Sequence, residues 1–276
     1  MGYPVPGGIS FLSNSDMTCE GSFPLGGAIA AIMVVAGVSP WLAIVAAVIG
    51  GMVAGAVTGI LYTKLKIPAI LAGILTMIAL YSINLHVMGK ANVSLLRTDT
   101  IFRLASRFLD CGSSVAALVV SGGLILVLVL WVYWFFGTEL GMCIRATGFN
   151  VHMMRAQGVN TDTMTILGLL LSNGLISACG AVVAQNNGFA DVGMGIGTLV
   201  IGLASIIIGE VVLNATSFKT SLIAVMVGSV IYRVIIAVVL YMGMEPNDLK
   251  LFTAVVVVLA LSMPLIKTHI AAGREG

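Results

Sequence analysis

Long apolar runs separated by short polar breaks set the pattern of this chain. Trp41–Tyr62, Ile67–Met88, Val115–Phe136, Thr163–Gln185, Thr220–Tyr241 and Leu249–Ile266 read as full membrane spans, since crossing a hydrocarbon core of about 30 Å takes about 20 apolar residues in a helix. Two further apolar runs are interrupted. Leu25–Gly37 has about 13 residues, or about 20 Å of helix, and cannot cross alone. Leu199–Leu213 follows a run in which Gly193, Gly195 and Gly197 alternate. The pattern predicts an all-α polytopic membrane protein of about 7–8 transmembrane helices, two of them broken or half-spanning. Its halves are pseudo-repeated: Asp16 precedes Gly26, and Asp191 precedes Gly202, at nearly the same interval. Interrupted hydrophobic segments in corresponding places point to a translocation site.

The breaks carry the detail. Residues 1–23 read as an irregular N-terminus without the basic and apolar regions of a signal peptide. Pro24 suits a first helical position, with Ser22 or Phe23 as cap. Residues 24–276 then form one transmembrane domain. The 92–110 stretch reads as an amphipathic surface helix, with Leu95, Leu96, Ile101, Leu104 and Phe108 at roughly helical spacing. Trp131, Tyr133, Trp134, Phe135 and Phe136 close one span as interfacial aromatics. Gly51, Gly55 and Gly59 repeat every four residues and predict a close helix contact. No strand precedes the G-x-G-x-G run, so it is no nucleotide loop. It reads as irregular chain beside a cavity.

Composition and charge agree. Hydrophobic residues make up 59% and charged residues 9% of 276, with a mean hydropathy of +1.12, which excludes a soluble globular chain. Basic residues sit at segment ends and form no nucleic-acid-binding stripe. Cys19, Cys111, Cys143 and Cys179 lie far apart, suggesting neither a metal site nor a disulfide framework. Lys64, Lys66, Arg145, Arg155, Lys219, Lys267 and Arg274 fall on one side. Lys90, Arg97, Arg103, Arg107 and Lys250 fall on the other, so the first side is read as cytoplasmic.

On that side lies Glu139–Asp162, a polar insertion longer than a connector needs. It carries Arg145, His152 and Arg155, Gly148 and Gly158 divide it, and Phe149, Val151, Met153 and Met154 give it an exposed apolar side. It is built to dock.

These pieces resemble an ABC-importer permease of the ribose and branched-chain amino acid permease superfamily, in particular permeases of tryptophan/tyrosine uptake systems. The likeness covers residues 16–268. It rests on D-M-T-C-E-G-S-F-P at 16–24, T-K-L-K-I at 63–67, L-A-G-I-L-T-M-I-A-L-Y-S-I-N at 71–84 and R-A-T-G-F-N at 145–150. G-F-A-D-V-G-M-G-I-G-T at 188–198, I-I-G-E at 207–210 and Y-R at 232–233 extend it. The resemblance implies that 145–158 holds a coupling helix for a cytoplasmic ATPase, which binds ATP and magnesium. It also implies a homodimer of permeases, an extracytoplasmic substrate-binding lipoprotein, and a bacterial inner-membrane location. Such permeases begin with another membrane helix before the D-x-T motif, so about 20 further apolar residues are expected ahead of Met1.

Arg145, Phe149, His152, Met153, Arg155 and Gly158 are thus the expected coupling residues. Asp16, Glu20, Gly21, Asn187, Asp191, Gly193, Gly195 and Arg233 are expected at the pathway or the broken helices. A charge such as Arg233 within a span costs about 2.5–3.5 kcal/mol and needs a partner, expected to be Asp191, or else Asp16 or Glu20. The same carboxylates leave an ion-coupled secondary transporter as an alternative, and a sugar or nucleoside importer as another. An enzyme is not indicated: His86, His152 and His269 lie at span ends or in loops, with no acid or base constellation around them.

Overall fold

The computed structural model describes residues 16–96, 98–109, 112–213, 218–241 and 255. The expected span Leu249–Ile266 therefore lies, but for Val255, outside the described residues. Among those described, seven helical segments are long and apolar enough to cross a membrane. The chain divides into two compact units, one ending at Ile196 and one beginning at Gly197.

The first unit is built on three helices: α1 (Thr18–Val35), α2 (Pro40–Thr63) and α8 (Thr161–Asn187). Helix α2 runs antiparallel to α8. Gly51 and Gly55 bring their backbone onto the Asn173 and Leu169 carbonyls, and Gly59 meets Ile166. Helix α1 lies alongside α8, and a Cβ on Gly26 or on Gly180 would overlap the carbonyl oxygen of Ser177 or Phe23. Alanines fill what remains: Ala28, Ala31, Ala43, Ala47, Ala181 and Ala184 are fully buried together. With lipid outside, contact between spans depends on van der Waals approach rather than on hydrophobic burial, so small residues decide the seam. Larger apolar side chains point outward, as Leu42, Val45, Ile49 and Val53 do on α2.

Helix α3 (Ala69–Met88) packs on α1. Strand β1 (Asn92–Ser94) and helix α4 (Ile101–Leu109) follow, and α5 (Ser113–Phe136) rests against α4. The expected surface helix over 92–110 is thus corrected to a strand and a short helix. The backbone of 92–94 pairs antiparallel with β2 (Phe189–Asp191). Thr100 then opens a new helix, accepting from Arg103 N at 3.4 Å. Gln185, fully inside, accepts from Ile101 N at 3.2 Å and so fixes where α4 begins.

Beyond α5 come α6 (Glu139–Phe149) and α7 (Val151–Ala156), and after β2 a single 3-10 turn (Val192–Gly195). The second unit is described over α9 (Thr198–Leu213) and α10 (Phe218–Tyr241), which pack with Gly209 against Ala224 and Gly228 against Ser205.

Pro24 is the main correction. It does not open a half-helix at residue 25 but lies inside α1, whose 18 residues begin at Thr18. Residues 18–23 are accordingly helical. A proline cannot donate to the carbonyl four residues earlier, here that of Glu20. Gly195 fills the place, its Cα packed so closely that a Cβ would overlap the Glu20 carbonyl oxygen and lie 2.6 Å from the proline Cδ. Interior proline is tolerated in membrane helices where neighbouring chain occupies the freed site.

Candidate translocation site

The first described helix opens just after Asp16–Met17 rather than at Pro24. A Cβ on Gly73 would stand 3.0 Å from Met17 N, and Gly73 is about 6 Å along α3 from Ala69. The Thr18 hydroxyl meets that of Thr58 at 2.9 Å, and Thr58 is about 7 Å short of the end of α2. Helix α1 therefore opens inside the layer formed by its neighbours. Its first N–H groups need acceptors there.

Asp16 supplies one. Its Oδ1 accepts from Thr18 N at 3.1 Å, and its Oδ2 accepts from Asn173 Nδ2 at 2.8 Å. Asp191 repeats the arrangement at the second break. Its Oδ1 accepts from Gly193 N at 2.7 Å and its Oδ2 from Asn92 Nδ2 at 3.3 Å. In each case one carboxylate oxygen takes the N–H two residues on and the other takes an asparagine amide. A carboxylate at a helix opening is also favoured by the helix dipole. Arg233 lies exposed on α10, in the second unit.

Buried hydroxyls complete the frame. Ser22 donates to Asn173 Oδ1 at 2.7 Å, and Thr58 donates to Thr76 at 3.0 Å, which stitches α1, α2, α3 and α8 together. Replacing Asn173 with Leu leaves the Ser22 hydroxyl and one Asp16 oxygen without that partner. The expected cost is about 1–3 kcal/mol, read as a lower melting temperature of the purified protein in detergent. Ser22→Ala is expected to cost less, and equal melting of wild type and Asn173→Leu would refute the role.

Glu20, Gly21 and Pro24 of α1 face Met77, Tyr81 and Asn84 of α3 across a cavity of about 290 Å³, closed by Val192 and Ile196. Glu20 and Gly21 sit within continuous helix rather than irregular chain. Asn187 is the last residue of α8, before Gly188 turns the chain at φ 75°. Gly193 and Gly195 lie in the 3-10 turn. Asn84 and Asn173 were not among the expected site residues, and Ser22 was expected only as a helix cap. A lone amide within an apolar run was the available signal, since buried polar groups in spans need partners.

The 139–162 segment forms two helices, α6 and α7, rather than one over 145–158. They meet at Asn150, whose Oδ1 caps α7 by accepting from Met153 N at 3.0 Å. Gly148 lies inside α6, so the division falls at Asn150. Gly158, at φ 81°, ends α7 in a left-handed conformation suited to glycine. Arg145 is half-buried in α6. Arg155 turns back on α8, with Nε 2.8 Å from Thr161 Oγ1 and Nη2 3.2 Å from Asp162 Oδ1. Ile144 and Met154 anchor the corner from inside, Met154 at only 4% exposure rather than on the open side. Phe149 (55%) and Met153 (44%) face outward with Val151 and His152.

A multi-span helical protein with two aspartate-capped openings and an exposed apolar corner at α6–α7 has the build of a membrane permease. The chain belongs to the branched-chain amino acid transport system / permease component family, whose model matches residues 15–262. It is thus a multi-pass inner-membrane permease component of the ABC type. It is 40% identical to a tyrosine transport system permease protein of Clostridioides difficile over 247 residues, covering 90% of this chain and 81% of that one. An uncharacterized protein of Rickettsia prowazekii is 32% identical, covering 91% of this chain and 88% of that one. A galactofuranose transporter permease protein of Escherichia coli is 28% identical, covering 89% and 70% respectively. No solved structure matches the chain.

Proposed function

We propose that this permease imports an aromatic amino acid. The observation that carries the reading is the 40% identity to the tyrosine transport permease over most of both chains. The cavity supports it: its wall is largely apolar, holds Tyr81, and offers few of the polar groups that a sugar requires. In this reading two copies of the chain pair in the membrane. A cytoplasmic ATPase, which binds ATP and magnesium, docks on the α6–α7 corner, and an extracytoplasmic binding lipoprotein delivers substrate to the opposite side.

Proteoliposomes containing the permease, its ATPase and its binding protein test this. Labelled tyrosine is expected to accumulate only with ATP inside the ATPase compartment, and to do so unchanged after ionophores collapse ion gradients. Accumulation driven by an ion gradient without ATP, or of galactofuranose in place of tyrosine, would overturn the proposal.

A further inference from the structure

We infer that the cavity between α1, α3 and the 192–196 segment is a substrate subsite that reads an ammonium group, with Glu20 and Asn84 as its polar contacts. The inference rests on the amino acid reading above and gives that substrate an orientation. Asn84 is fully buried and lines the cavity. Its Nδ2 donates to the Gly21 carbonyl at 3.2 Å, while its Oδ1 has no hydrogen-bond partner among the described residues. A buried carbonyl oxygen left in that state is costly, and leucine in its place would pack α3 without that cost. A donor arriving in the cavity supplies what Asn84 lacks.

Glu20 lines the same space and sets the sign of the charge. An ammonium group offers three donors and no acceptor, which suits a carboxylate and an amide carbonyl together. Among the described residues no Lys, Arg or His lines the cavity, so that lining offers no cation to a carboxylate. The rest of the wall is Met77, Ile78, Tyr81 and Ile196, an apolar surface with one aromatic ring for the body of the molecule. The volume of about 290 Å³ suits one molecule of amino acid size. Residues 77–84 lie about 12–22 Å along α3 from Ala69, well inside the helix layer. The ligand class is an apolar, preferably aromatic, primary amine, which includes the aromatic amino acids.

Direct binding to the full-length permease in nanodiscs tests the subsite. Radiolabelled tyramine and L-tyrosine are both expected to bind saturably. Hydroxyphenylpropionate, which keeps the ring and carboxylate but lacks the amine, should not compete. Glu20→Gln is expected to weaken tyramine binding by about tenfold or more, the loss typical of a hydrogen bond to a charged group. Asn84→Leu should weaken it as well, and Glu20→Gln, at a half-buried position, carries the test if Asn84→Leu does not fold. No saturable tyramine binding, an unchanged Kd in Glu20→Gln, or effective competition by hydroxyphenylpropionate would each overturn the inference. Glu20-dependent tyramine binding in a protein that imports no tyrosine would uphold the subsite and overturn the import reading.

Discussion

The double variant Phe149→Asp, Met153→Asp is expected to lose substrate-stimulated ATP hydrolysis while remaining inserted and folded. Both side chains stand outward at the corner where α6 meets α7, with Val151 between them. The corner is held from behind by Ile144, Thr147 and Met154, all buried, and by the Asn150 cap. Its outer face can thus change chemistry without loosening its inner one. An apolar anchor lost from the centre of an interface costs about 2–4 kcal/mol, or about 30- to 1000-fold in affinity. A buried, unpaired aspartate adds to that. ATPase activity with binding protein and substrate, measured in nanodiscs, checks the effect, and size-exclusion chromatography checks the fold. Normal stimulation would show that force reaches the permease elsewhere.

Gly26→Val and Gly180→Val are expected to abolish folded protein altogether. At each position an added Cβ would fall on a carbonyl oxygen of the facing helix, Ser177 for Gly26 and Phe23 for Gly180. Backbone cannot rotate away as a side chain can, so α1 and α8 would have to separate along the seam. Overpacking a core costs about 1–3 kcal/mol where side chains can yield, and more where they cannot. The same separation would pull Ser22 from Asn173 and lift Gly195 from the Pro24 turn. Gly122→Val on α5 is the control, because nothing lies within 4 Å of a Cβ there. Fluorescence-detected size exclusion should show a monodisperse peak for Gly122→Val and aggregate or no protein for the other two. A folded Gly26→Val protein with wild-type melting would refute the close packing of α1 on α8.

Much of the architecture was legible in advance because membrane insertion is a local matter. A run of apolar residues crosses the bilayer whatever lies elsewhere in the chain, so Trp41–Tyr62 and Ile67–Met88 are matched within a few residues by α2 and α3. The Gly193–Gly197 break was visible for the same reason, since alternating glycines interrupt any helix. Misreadings arose where a local rule was overruled by a partner. Pro24 marks a helix start in isolation. Inside this fold Gly195 lies against the turn that the proline disturbs, and the helix extends back to Thr18. Residues 92–94 follow a helical pattern by themselves, yet Phe189–Asp191 takes them as a strand.

The sequence by itself determined that the chain is a multi-span helical membrane protein and where five of its described spans lie, because both follow from hydrophobicity along the chain. Only the tertiary structure decided how the polar atoms within the membrane layer are shared. Asn173 joins Asp16 and Ser22 across more than a hundred residues, and Asn84 turns its amide to Gly21 while its carbonyl oxygen goes unmatched. A hydrogen bond forms between atoms that the fold brings together. No local pattern around Asn84 or Asn173 could show which groups those would be.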